Sequence, residues 1–285
     1  MHAPIYQLDA FGEKADWTDF YIHDLASHVR EHAFTEKPHK HDFYLAMYVS
    51  KGKGIHIVDF VEYDVLPGSV FLMTPGQVHT WRLSSDIKGF VMFFTRDFYQ
   101  MQLSENSLLE FPFFHSLDAS PCIHIQRESV VQFVLNQMQS EFANTSKTNL
   151  RLIRAYLDVF LLEVAKYCDP SNENKISVTS KKLRRLEQLI DENFISLKQA
   201  GDYADLMNLG TGHLNSICKE ALGKTLTDLI HQRILLEAKR LFAYSDFNVN
   251  EIAAKLGYAD PSYFVRWFKN RCGYTPDEFR KRLVK

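Results

Sequence analysis

Between residues 40 and 100 the apolar positions come in short runs rich in Tyr, Phe, Val and Ile, cut by Gly52-Lys53-Gly54, Pro67-Gly68 and Pro75-Gly76. Turn signals at that spacing predict short antiparallel strands of a small barrel or sandwich. Past residue 127 the period changes. Val130, Phe133, Val134 and Gln137 within 127–143, then Leu150, Ile153, Leu157, Phe160, Leu161 and Val164 within 148–168, follow the three-to-four-residue step of a helix. The polar run Asp169-Pro170-Ser171-Asn172-Glu173-Asn174-Lys175 contains a proline that resists helix continuation and predicts a linker. From Ser180 to Leu283 the pattern is of short helices joined by tight turns. The expected fold class is α+β. An antiparallel β-barrel with flanking helices covers residues 1–168, a linker 169–179, and an all-α domain 180–285.

Composition narrows the class without naming it. The chain has 285 residues, 46% of them hydrophobic and 24% charged, as in ordinary globular proteins. No apolar stretch reaches the roughly 18 residues of a membrane span, and the first residues, Met1-His2-Ala3-Pro4, do not form a signal peptide. The expectation is a cytoplasmic protein. Cys122, Cys168, Cys218 and Cys272 are scattered, which suits reduced thiols. The net charge of −2 hides an asymmetry: from Ser180 onward 18 Lys and Arg face 13 Asp and Glu, a balance of +5, against −7 for the residues before. A basic half beside an acidic half points to a polyanionic partner for the basic one.

That basic half contains one pattern twice. Ala204 is followed by Leu214, Lys219, Gly223, Thr225 and Leu229; Ala253 is followed by Phe264, Lys269, Gly273, Thr275 and Phe279. From Leu214 and Phe264 onward the spacings match, and the second copy has one extra residue in its inter-helix turn. Each copy reads as a helix-turn-helix. A small alanine allows a close helix crossing, and Gly257 in one copy, Gly210 or Gly212 in the other, are placed for a turn of positive φ. Asp260-Pro261 is a helix start, with Asp as the cap and Pro at the first turn. The helix after it turns Phe264 and Phe268 inward and leaves Ser262, Tyr263, Val265, Arg266 and Lys269 outward. In the first copy Leu214 and Ile217 pack inward, and Gly212, His213, Asn215, Ser216 and Lys219 are presented.

The stretch Val249-Asn250-Glu251-Ile252-Ala253-Ala254-Lys255-Leu256-Gly257-Tyr258-Ala259-Asp260-Pro261-Ser262-Tyr263-Phe264-Val265-Arg266-Trp267-Phe268-Lys269, followed by Gly273-Tyr274-Thr275-Pro276-Asp277-Glu278-Phe279-Arg280, closely resembles the signature of the AraC/XylS family of transcription regulators. The resemblance covers about the last 100 residues. It implies two helix-turn-helix units joined by a rigid helix, here about Leu226–Tyr244, that enter successive major grooves of double-stranded DNA. The implied DNA-binding positions are Gly212, His213, Asn215, Ser216 and Lys219 in the first unit, and Pro261, Ser262, Tyr263, Val265, Arg266 and Lys269 in the second. The first unit departs from the family where Gly210 replaces a common capping serine.

The strand-rich half resembles the cupin-like sensor domain frequent in that family. His39-Lys40-His41 with Gly52, then Gly68 with Pro75-Gly76-Gln77-Val78-His79, follow the two cupin motifs. Cupin enzymes hold a metal with three histidines and a glutamate, and Leu45 occupies the glutamate position here. Three histidines can still bind a metal with an open position; alternatively they line a barrel mouth as hydrogen-bonding groups. The expectation assigns no metal, no cofactor and no catalytic residue. It places a small-molecule effector among His39, His41, Phe43, Met47, His79 and Trp81. The stripe Leu150, Ile153, Leu157, Phe160, Leu161 and Val164 is expected to serve homodimerisation, and RNA polymerase is a candidate partner. The resulting function is a sequence-specific transcription regulator controlled by an effector in its barrel. The alternative is a metal-dependent cupin enzyme fused to a DNA-binding domain.

Overall fold

A computed structural model of the chain describes residues 3–11, 19–32, 36–101, 108, 111–114, 120–125, 130–143, 148–168 and 178–283. The chain divides into two compact units, one spanning Pro4–Lys175 and one comprising Met1–Ala3 with Ile176–Lys285. The Asp169–Lys175 run and residues 127–129 lie outside the described residues.

The first unit contains two facing sets of strands. Five strands pair in the order β10 (Cys122–His124), β7 (Ser69–Met73), β4 (Tyr44–Lys51), β9 (Lys88–Phe94) and β2 (Phe20–Asp24), every neighbour antiparallel. Three more pair as β6 (Val61–Val65), β5 (Gly54–Val58) and β8 (His79–Leu83), also antiparallel. The short strands β1 (Ile5–Tyr6) and β3 (Lys40–His41) pair in parallel. Strands before residue 40, the helix α1 (Leu25–Glu31) and β10 lie outside the strand-rich stretch expected from the pattern.

The five-stranded sheet is buried on both faces, so its strands read as nearly continuous apolar runs. Successive side chains of a strand point to opposite faces. Leu45, Met47 and Val49 of β4, Phe71 and Met73 of β7, and Val91 and Phe93 of β9 join one core, which Trp81 of β8 and Val58 of β5 complete. Tyr44, Ala46 and Tyr48, Val70 and Leu72, and Phe90, Met92 and Phe94 join a second core on the other face. Two helices cover that second face: α3 (Val130–Phe142) and α4 (Leu150–Ala165), which pack against each other. A further short helix, α2 (Arg96–Gln100), starts on a Thr95 cap whose hydroxyl accepts the Phe98 N–H at 3.0 Å.

The structure selects the buried face of each covering helix, and for α4 this corrects an expectation. On α3 the inward face is Val131, Val134, Leu135 and Met138; Phe133 is 61% exposed and Val130 is exposed as well. Both sets have helical spacing, and contact with α4 and β2 selects between them. On α4, Ile153, Leu157, Phe160, Leu161 and Val164 are fully buried in the sheet-facing core and Leu150 packs against it. The stripe is consumed within the unit and is not available to a second chain.

The second unit is helical: α5 (Val178–Asn193), α6 (Ala200–Leu206), α7 (Thr211–Leu222), α8 (Leu226–Tyr244), α9 (Val249–Lys255), α10 (Pro261–Cys272) and α11 (Pro276–Leu283). Helices α6–α7 and α9–α10 are the two copies of the repeat, and α8 joins them. Ala204 and Ala253 are buried where the paired helices cross. Helix α8 starts in a capping box, Thr225 with Asp228, and α9 in another, Asn248 with Glu251.

The turn of the second copy uses Gly257 at φ +73°, as expected, but in the first copy Asn208 holds the left-handed position at φ +51°. Gly210 is instead the cap of α7, with φ −68°. Asn208 and Gly257 both follow their alanine by four residues, so the extra residue of the second copy falls between this position and the helix cap. Asparagine tolerates left-handed backbone better than other residues with a side chain. At position 257 glycine is required twice over, because a Cβ would also stand 2.2 Å from the Ile195 carbonyl oxygen. We therefore expect Gly257→Ala to destabilise the helical unit by about 1–3 kcal/mol, and Asn208→Gly to change stability little. Urea unfolding followed by circular dichroism measures both; a Gly257→Ala variant as stable as wild type would contradict the geometry.

Candidate nucleic-acid interface and histidine cluster

Helices α7 and α10 present the same face at a constant offset of fifty residues. Gly212, His213, Ser216 and Lys219 are exposed on α7; Ser262, Tyr263, Arg266 and Lys269 are exposed at the matching places on α10. Asn215 and Val265 are half-buried partners, and Pro261 is half-buried at the first turn of α10. The opposite faces anchor the helices: Leu214, Ile217 and Cys218 on α7, and Phe264, Trp267 and Phe268 on α10, are buried. Both helices stop at a left-handed glycine, Gly223 or Gly273, one turn after the matching lysine. The start of α10 is the Asp260 cap, whose carboxylate accepts the Ser262 N–H at 2.8 Å, followed by Pro261.

The exposed chemistry of the two faces differs. Helix α10 offers a guanidinium, an ammonium and a phenol, whereas α7 offers one ammonium and an imidazole. Two polar side chains of α7 are turned to internal use. The Asn215 Oδ1 accepts the Leu226 N–H at 3.1 Å and so caps the start of α8. The Ser216 hydroxyl donates to the Gly212 carbonyl at 3.0 Å. Asn215, expected among the outward residues, is thus a brace between α7 and α8, and its carbonyl is not presented outward.

Arg271 was not singled out in the sequence, yet it fixes α10 to the joining helix. Its guanidinium donates to Asp228 at 3.1 Å and to the His231 Nδ1 at 2.6 Å. The His231 ring meets Trp267 edge-on at 5.7 Å. Arg233 does the corresponding work on the other side of α8, donating to Asp191 at 2.6 Å and stacking at 4.0 Å over the Phe194 ring. The first helix-turn-helix pair has no counterpart of Arg271, because Ala221 occupies its place.

In the strand-rich unit the six residues expected to hold an effector, His39, His41, Phe43, Met47, His79 and Trp81, are all inward and buried. An isolated bridge places His39 opposite His79, with reciprocal backbone hydrogen bonds of 3.0 and 2.8 Å. Ring centroids of His39, His41 and His79 are 4.3–4.9 Å apart. Phe43 stacks on His41 at 4.4 Å and Trp81 meets His79 edge-on at 5.2 Å. Met47 lies deeper, in the core with Leu45 and Phe93. These rings lie against one another in the interior of the unit. Two histidines that the sequence reading passed over belong to the same interior. His56 of β5 reaches the His79 Nδ1 at 2.9 Å, and His28 of α1 reaches the Tyr21 hydroxyl at 2.9 Å. The signal was available for His56: it alternates with Val58 on the inward face of β5 and pairs with Trp81 in register.

Burial holds these imidazoles neutral. It pushes His28 and His56 down to about 3 and His39 to about 4, and it holds His41 and His79 well below the ordinary value. Neighbouring histidines add to the effect, since a proton on one opposes a proton on the next.

Two domain families match the chain: "AraC-like ligand binding domain" over residues 25–155 and "Helix-turn-helix domain" over 203–282. The HTH-type transcriptional activator RhaR of Mannheimia succiniciproducens is 23% identical over 249 residues, covering 87% of this chain and 88% of that protein. The HTH-type transcriptional activator RhaS of Escherichia coli is 22% identical, covering 85% and 87%. Among solved structures, ToxT of Vibrio cholerae O395 shares 18% identity at a TM-score of 0.45, covering 85% of this chain and 90% of that one. The chain belongs to the AraC family of DNA-binding transcription regulators, with a cupin-like ligand-binding domain before its helix-turn-helix domain. No helix among the described residues is long and apolar enough to cross a membrane.

The neutral histidines carry a pH consequence. Their folded pKa values lie below the value of 6.5 they take when released. The unfolded chain therefore binds protons that the folded one does not, and stability falls as pH drops from about 6.5 toward 4. Each such histidine contributes up to roughly 1.4 kcal/mol per pH unit inside that window. Thermal melts of metal-free protein at stepped pH should show the strand-rich unit losing stability steeply below pH 6.5; a flat profile down to pH 4.5 would contradict a neutral interior.

Proposed function

We propose that the chain activates transcription by seating α7 and α10 in successive major grooves on one face of operator DNA, under control of a small molecule bound by its N-terminal domain. The observation that carries the reading is the matched exposed face of the two helices, each anchored by a buried opposite face. Recognition helices in successive grooves sit about one DNA turn, roughly 34 Å, apart. Helix α8 is a continuous 19-residue rod, so it sets their separation and cannot stretch. Arg266 offers a two-pronged donor to guanine in the second groove, while Lys219 and Lys269 neutralise phosphates. The first helix, with Gly212, His213 and Ser216 outward, contributes position more than sequence reading. Activation follows the names of the relatives, and RNA polymerase is then the further partner. The protein works in the cytoplasm by binding and not by catalysis.

We also propose that the chain pairs with a second copy of itself. The buried stripe of α4 is taken, and the outer face of that helix carries Leu152, Val159 and Leu162 exposed at heptad-like spacing. This face replaces Leu157 and its neighbours as the pairing surface.

Two measurements test these readings. Arg266→Ala should cost about 1–3 kcal/mol on an operator and much less on random DNA, while Lys269→Ala should weaken both alike and reduce the salt slope by about one. Equal losses for Arg266→Ala on both DNAs would reduce that residue to a backbone contact. Leu162→Glu should give a folded monomer by sedimentation, with weaker operator binding; a wild-type chain already monomeric at micromolar concentration would remove the pairing.

A further inference from the structure

Trp267, on the buried side of α10, stands between two rings. The His231 ring of α8 meets it edge-on at 5.7 Å, and the Tyr258 ring meets it at 5.5 Å. Each of those rings is held in turn by a cation. Arg271 donates to the His231 Nδ1 at 2.6 Å, and the Lys198 Nζ lies 5.1 Å from the centre of the Tyr258 ring. We propose that Arg271 and Lys198 are positioning residues that lock the second helix-turn-helix unit to the first, and so set the half-site spacing the protein accepts. This rests on the two-groove reading and names the residues that fix its geometry.

Helix α10 meets α8 at both ends. Phe264 and Phe268 pack on Phe242 in the last turn of α8. Arg271 instead reaches Asp228 and His231 near the start of that helix. The start belongs with the first unit: α7 ends at Leu222, α8 begins at Leu226, and Asn215 of α7 accepts the Leu226 N–H. The Asp228 carboxylate serves both sides. Its Oδ2 accepts from the Thr225 hydroxyl at 2.6 Å and closes the cap of α8, while its Oδ1 accepts from Arg271. Burial and the Arg271 charge hold His231 below the ordinary imidazole value, so the ring stays neutral and its Nδ1 accepts.

A second contact joins the two units directly. The chain between α5 and α6 belongs to the first unit, and there the Ile195 carbonyl lies against Gly257. Lys198 donates to that same carbonyl and covers the Tyr258 ring. Lys198 is half-buried, and the face of an aromatic ring is a favourable place for such a cation. Gly257 and Tyr258 lie in the turn of the second unit. That unit is therefore tied twice, at its turn by Lys198 and at the end of α10 by Arg271. Neither residue belongs to the matched faces assigned to DNA.

Two recognition helices on one frame act as linked modules. The second docks at an effective concentration that depends on how well the frame matches the spacing of the two grooves. Loosening the frame weakens binding to a correctly spaced pair of half-sites and leaves binding to one half-site alone. It also lowers discrimination against wrong spacing. A single exposed ion pair is weak, so the two ties are removed together in the test.

The probe is a duplex selected from random sequences by the full wild-type chain, with its half-sites located by footprinting. Its derivatives have each half-site scrambled in turn, or one base pair added between the half-sites, which turns one against the other by about 35°. Affinities are read by fluorescence anisotropy. Wild type should bind the parent duplex most tightly and lose affinity on every derivative. Arg271→Ala combined with Lys198→Met should bind the parent about tenfold more weakly, a part of the roughly 10²–10⁴ that linkage supplies. On the scrambled duplexes the same variant should change less than about twofold, and its penalty for the added base pair should shrink. His231→Phe keeps a ring against Trp267, removes only the acceptor, and should shift the same ratios in the same direction. Near-UV circular dichroism checks that both variants fold. Equal losses on parent and scrambled duplexes would make the two cations DNA contacts and overturn the proposal. So would an unchanged penalty for the added base pair. A wild-type chain indifferent to all the derivatives would refute the two-groove reading itself, and the spacing role with it.

Discussion

A sheet buried on both faces is the constraint from which the strand-rich unit follows. Because side chains alternate along β4, β7 and β9, each strand supplies two cores at once. The inner core closes against β5 and β8, and the histidines are drawn into it by the same alternation. The outer core needs a cover, and α3 and α4 provide it. Every apolar position of α4 that faces the sheet is thereby committed, which is why that stripe has nothing left for a partner. At roughly 25 cal/mol per Å² of apolar area removed from water, burial on this scale outweighs the polar cost of enclosing a few neutral imidazoles.

Neutrality is what makes that enclosure tolerable. A charged imidazole in this interior would face a severe desolvation cost, whereas a neutral one needs only hydrogen-bond partners. The structure gives partners to some nitrogens: Lys37 to His39, Tyr21 to His28, His56 to His79. It leaves others, such as His39 Nε2 and His41 Nδ1, without any among the described residues. A buried polar atom without a partner costs free energy, so a cluster of them in one place is where a ligand gains most by binding.

The helical unit shows how one frame carries two different surfaces. The buried positions of α7 and α10 are equivalent, while their exposed positions diverge in charge and size. The brackets also differ. Asn215 ties α7 to α8 through a backbone amide, and Arg271 ties α10 to α8 through a carboxylate and an imidazole. Arg280 of α11 adds a further tie to backbone carbonyls, donating to Phe242 and Phe247. Such ties fix the orientation of both exposed faces on one rod, which a reader of two adjacent grooves requires.

The sequence by itself determined the class of each half. Hydrophobic period, turn residues and the fifty-residue repeat are local signals, and they sufficed for the barrel, for α8 at Leu226–Tyr244, and for the start of α10 at Asp260-Pro261. Inward placement of His39, His41, Phe43 and Trp81 was also legible, since a period of two fixes which side chains share a face. Only the tertiary structure decided matters that depend on what lies opposite. It chose between two helical faces of α3, and turned α4 onto the sheet. It assigned the left-handed turn residue to Asn208 and not to Gly210, and it brought His56 from another strand to His79. The physical reason is the same throughout. Periodicity says which residues of an element travel together, but burial energy is realised only against a partner surface, and that surface comes from residues far away in the chain.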